Sequence, residues 1–66
     1  MSDAVPALFA TVTAKLEDMH SIAVEGQRHD NTPDIERVLA CHLRMGIAAL
    51  DGAIQEIKQH LGDDHD

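Results

Sequence analysis

The stretch from Thr32 to Leu61 constrains the fold more than any other part of the chain. Thr32, Pro33 and Asp34 read as a helix start: a threonine N-cap, proline at the first helical position, and an acidic residue facing the positive end of the dipole. Gly62 stands just past the last apolar residue, where a helix commonly ends. Between these ends run two apolar seams. One is Leu43, Ile47, Leu50, Ile54, Ile57 and Leu61; the other is Ile35, Val38 or Leu39, His42, Gly46, Ala49 and Ala53. At about 100° per residue the seams lie side by side and together span roughly half the circumference. A helix with one neighbour needs a narrower stripe, so two seams imply two neighbours.

A second, shorter helix precedes this one. Val5, Phe9, Val12, Leu16, Met19 and Ala23 recur at alternating spacings of four and three, which is a heptad seam; Leu8 and Ile22 widen it on one side. Ser2 or Asp3 can cap its start, Pro6 is tolerated in the first turn, and Gly26 is a natural C′ residue with positive φ. The polar connection Gln27 to Asn31 is short, which predicts an antiparallel all-α hairpin with helices at about 4–26 and 33–61. Residues 1–61 form the hairpin, and 62–66 are expected to be a flexible acidic tail.

Sixty-six residues bury too little surface for comfortable stability without a disulfide, a metal or a partner chain. Cys41 is the single cysteine, which excludes an internal disulfide. Phe9 is the single aromatic residue, and the apolar content of 44% comes mostly from aliphatic side chains suited to a helical core. The net charge of −7 disfavours nucleic acid and anionic membrane surfaces as partners. No apolar run reaches the roughly 18 residues of a membrane span. Without a basic n-region at Met1–Pro6, a cytoplasmic location is the expectation.

If the shorter helix covers the Leu43–Leu61 seam, the other seam needs a second chain. Its small side chains would let two helix axes approach closely. The expected dimer interface is therefore His42, Gly46, Ala49 and Ala53, closing a homodimeric four-helix bundle. Placing Gly26 opposite Pro33 puts Leu16 level with Leu43, so the long helix overhangs the short one. Ile57 and Leu61 would then be free to meet another protein.

Few residues suggest chemistry. Glu17-x-x-His20 puts a carboxylate and an imidazole on one helix face, and the same levels place Glu17 opposite His42. Doubled across a dimer, Glu17, His20 and His42 could hold zinc or iron, although Glu17 points away from the seam. The string His42-Leu43-Arg44-Met45-Gly46 resembles histidine phosphotransfer bundles in its His-x-x-x-Gly spacing, with Met45 where those carry lysine. That resemblance implies a phosphate acceptor at His42. Cys41 lies near Arg37 and Arg44 but lacks a base and an orienting acid. With no cofactor motif, the expected function is a small acidic dimer acting as a non-catalytic interaction or regulatory module, a metal-binding bundle being the alternative.

Overall fold

The computed structural model describes residues 3–62. Helix α1 (Ala4–Gly26) and helix α2 (Pro33–Leu61) pack against each other as a hairpin, and there is no strand among the described residues. Of the tail, only Gly62 lies among them.

Local chemistry sets both ends of α2 as expected, and α1 starts at the expected place without the expected cap. The Ala7 N–H donates to the Asp3 carbonyl at 3.1 Å, so Asp3 stands at the start of α1, although its side chain makes no capping bond. Thr32 caps α2: its hydroxyl oxygen accepts from the Ile35 N–H at 3.2 Å, and Pro33, Asp34 and Glu36 fill the first turn. Gly62 ends α2 in the left-handed conformation, φ 66° and ψ 48°, which only glycine adopts without strain. The end of α1 differs. Gly26 is the last helical residue rather than a left-handed stop, and Gln27 follows with φ −84° and ψ −6°. The helix tightens instead: Gln27 and Arg28 donate to carbonyls three residues back, at Val24 and Glu25.

Side chains then hold the connection. The Asn31 amide donates to the Glu25 carbonyl at 2.7 Å, a second bond to the oxygen that already accepts from the Arg28 N–H. Arg28 grips Asp30 through Nε at 3.1 Å and Nη2 at 2.8 Å, and reaches Glu25 through Nη1 at 3.0 Å. Bonding to Asp30, and then to Glu25, raises the Arg28 pKa, so the guanidinium stays charged.

The register differs from expectation. Met19 stands over Gly46, and Gly26 shares a hollow with Leu39 and Leu43. Equal rise along antiparallel helices then sets Lys15 level with Leu50, Val12 with Ala53 and Leu8 with Ile57. Leu16 is level with Ala49 rather than Leu43, a shift of six residues or about 9 Å. The reason is the tightened turn after Gly26, which carries the chain outward before α2 begins. The overhang therefore lies at the turn end, where Ile35 and Val38 are 47% and 53% exposed.

The contact between the helices runs along Val5, Leu8, Val12, Lys15, Met19 and Ile22 on α1 and Leu39, Leu43, Gly46, Leu50, Ala53 and Ile57 on α2. Ala53 and Ile57 are buried and the remainder are partly covered. On α2 this line follows the boundary between the two seams and takes alternate residues from each. Gly46 and Ala53, expected to meet a second chain, instead face α1. Ile57, expected to overhang, is covered; Leu61 does not overhang either, being level with Ala4, but is 64% exposed. On α1 the contact uses the edge through Leu8, Lys15 and Ile22, and turns Phe9 and Leu16 outward, each about half exposed.

Candidate functional site

A hairpin has two broad faces, and its surface hollows identify what lies on each. Ala23 and Gln27 of α1 line one hollow of about 350 Å³ together with Glu36, Ala40 and Leu43 of α2. Lys15 and Asp18 line the other, also about 350 Å³, with His42, Met45 and Ala49. Ala23 and Ala40 therefore share one face, while His42, Met45 and Ala49 lie on the opposite one.

Heptad steps extend the first face along the hairpin. Seven residues make nearly two full turns, so Ala23, Leu16 and Phe9 line up on α1, and Ala40, Ile47, Ile54 and Leu61 line up on α2. Phe9, Leu16, Ile47, Ile54 and Leu61 range from 45% to 64% exposed. The register sets Phe9 near the level of Ile54, Leu16 near Ile47, and Ala23 near Ala40. The result is an apolar strip of three pairs, one per heptad, about 21 Å long, with Leu61 beyond it at the open end. Arg44, Asp51 and Lys58, again one heptad apart, flank it along α2.

The other face is more mixed. His42 and Ala49 are exposed, and Met45 is 64% exposed. Asp18 and Lys15 interrupt its apolar surface on α1. His42 was expected at a close helix contact; instead it stands at the margin of an open hollow. A phosphate there would meet solvent, and the side chain three residues on is Met45.

The residues considered for metal do not come together within the chain. Glu17 and His20 lie on the back and outer edge of α1, whereas His42 lies on the opposite face of α2. Among the described residues no group of three or more His, Cys, Asp or Glu side chains is placed to hold an ion. Asp63–Asp66 lie outside the described residues. Cys41 is a free, exposed thiol. No helix among the described residues is long and apolar enough to cross a membrane.

No protein-family model matches this chain, and neither does any curated protein or solved structure.

Sequence reasoning had Phe9, Leu16, Ile47 and Ile54 as core rather than surface. The signal that could have found them is the parallel pair of heptads, Phe9-Leu16-Ala23 and Ala40-Ile47-Ile54, each one step beside the residues that pack the hairpin.

Proposed function

We propose that this chain is a non-catalytic protein–protein interaction module that self-associates through its apolar strip into a homodimeric four-helix bundle. The observation that carries this reading is the strip itself: Phe9, Leu16, Ile47, Ile54 and Leu61, each 45% to 64% exposed, stand on one face of the hairpin. Contiguous exposed apolar side chains of this kind mark a protein–protein contact.

The same reading leaves the opposite face outward in the dimer. Met45, Ala49 and His42 stay accessible there beside Asp18, and the net charge of −7 suits a partner with a basic surface. Among the described residues neither face gathers three or more His, Cys, Asp or Glu side chains at one place. The metal alternative loses support because His42 sits across the hairpin from Glu17 and His20.

Self-association makes stability depend on concentration, since assembly stabilises the folded state by mass action. The midpoint of thermal unfolding should rise by several degrees between low-micromolar and high-micromolar protein. A midpoint independent of concentration over that range sinks the reading.

A further inference from the structure

The apolar strip is a wedge, and the wedge says how a second copy sits on it. At the open end of the hairpin stand Phe9 and Ile54; at the turn end, two heptads from Phe9 and from Ile54, stand Ala23 and Ala40. Leu16 and Ile47 lie between them. We propose that the second copy docks head-to-tail, about a two-fold axis perpendicular to the helices at the level of Leu16 and Ile47. This rests on the reading of the chain as a self-associating module and adds its orientation.

The two possible orientations fill space differently. In the head-to-tail bundle, Phe9 and Ile54 of one copy face Ala23 and Ala40 of the other, at both ends. Leu16 and Ile47 meet their own symmetry mates in the middle. Each of the three layers then holds a comparable volume, which close packing demands. In the side-by-side bundle with both turns at one end, two phenylalanines and two isoleucines would crowd one layer. Four alanines would leave the opposite layer hollow. Both faults are destabilising, the first by overpacking and the second by lost contact.

Charge favours the same orientation. Arg44 and Asp51 flank the strip on α2, three residues before and four after Ile47. Head-to-tail pairing of α2 with its mate around Ile47 brings Arg44 of each copy level with Asp51 of the other. Arg37 and Lys58 also become level and carry like charge, but Arg37 is already paired with Asp34 of its own chain.

A single spin label distinguishes the orientations. His29 lies in the exposed turn, so His29→Cys on a Cys41→Ser background carries a nitroxide at one end of the hairpin. Dipolar distance measurement on the dimer should return a separation approaching the 49 Å length of the molecule. A separation near 20 Å, roughly two helix diameters, overturns the head-to-tail arrangement while leaving the dimer intact. A monomeric mass without dipolar coupling overturns the self-association on which it rests. A charge exchange supplies the second measurement. Arg44→Asp and Asp51→Arg should each weaken the dimer roughly two- to fivefold, and the double variant should recover most of that loss. No recovery in the double variant contradicts the proposed pairing.

Discussion

Met19 lies across Gly46 at the centre of the hairpin. A β-carbon at Gly46 would stand 2.8 Å from Met19 Cγ and 3.0 Å from Sδ, closer than such atoms pack. Glycine is used there because the neighbouring helix fills the space a side chain would take. Gly46→Leu should therefore cost about 1–3 kcal/mol of stability through overpacking of the hairpin itself. Met19→Ala in the same chain should restore part of the loss, because the two side chains would compete for one space. Denaturant midpoints of the two single variants and the double variant measure this coupling. Strictly additive effects would show that Met19 does not occupy the site.

Gly52 supplies the contrasting case. It also sits inside α2, but nothing lies within 4 Å of where its β-carbon would be. The position is exposed and its backbone is helical, so the glycine only weakens the helix. Gly52→Ala should stabilise the protein by about 0.5–1 kcal/mol, read as a higher denaturant midpoint with the slope unchanged. A lower midpoint would mean that the back of α2 is occupied by another chain.

Asn31 ties the connection to the end of α1 by its 2.7 Å bond to the Glu25 carbonyl. Asn31→Ala removes that donor and should cost about 1 kcal/mol. The amide hydrogens of Gln27 and Arg28, which close the last turns of α1, should exchange faster in the variant than in the parent. Unchanged protection at both would place the stability of the turn elsewhere, in the Arg28 network.

Ile47 and Met45 are both more than half exposed, but on opposite faces. Ile47→Glu puts a charge in the middle of the apolar strip and should dissociate the dimer at micromolar concentration. Met45→Glu leaves that strip untouched and should leave the mass unchanged. Light scattering on the pair tests which face associates. Dissociation by Met45→Glu alone would transfer the interface to the face that carries His42 and Ala49.

Helix boundaries were legible because their causes are local. Thr32, Pro33 and Gly62 act on the backbone next to them, and α2 begins and ends where those residues put it. The division of the apolar surface was not legible, because it depends on register. Val5, Val12 and Met19 belong to either of two heptad seams on α1, and Lys15 makes the edge through Leu8 and Ile22 look less apolar than that through Phe9 and Leu16. Lysine can lie with its aliphatic stem along a contact and its ammonium in water, so it does not forbid that edge. Choosing it lets Met19 meet Gly46 and brings Phe9, Leu16, Ile47, Ile54 and Leu61 onto one face, while Met45 stays exposed on the other. The six-residue shift in level arises from the turns at Gln27 and Arg28, whose geometry no hydrophobic pattern records. Within one chain the candidate metal residues stay apart for the same reason: spacing places Glu17 and His20 on one helix but says nothing about which face of the hairpin receives His42.

The most direct measurement is the mass of the protein in solution by sedimentation equilibrium at micromolar concentration. A self-associating hairpin should give twice the 7.2 kDa of the chain, falling toward the single value on dilution. A mass of one chain at every concentration through the high-micromolar range would contradict the dimer and leave the apolar strip without the partner proposed for it.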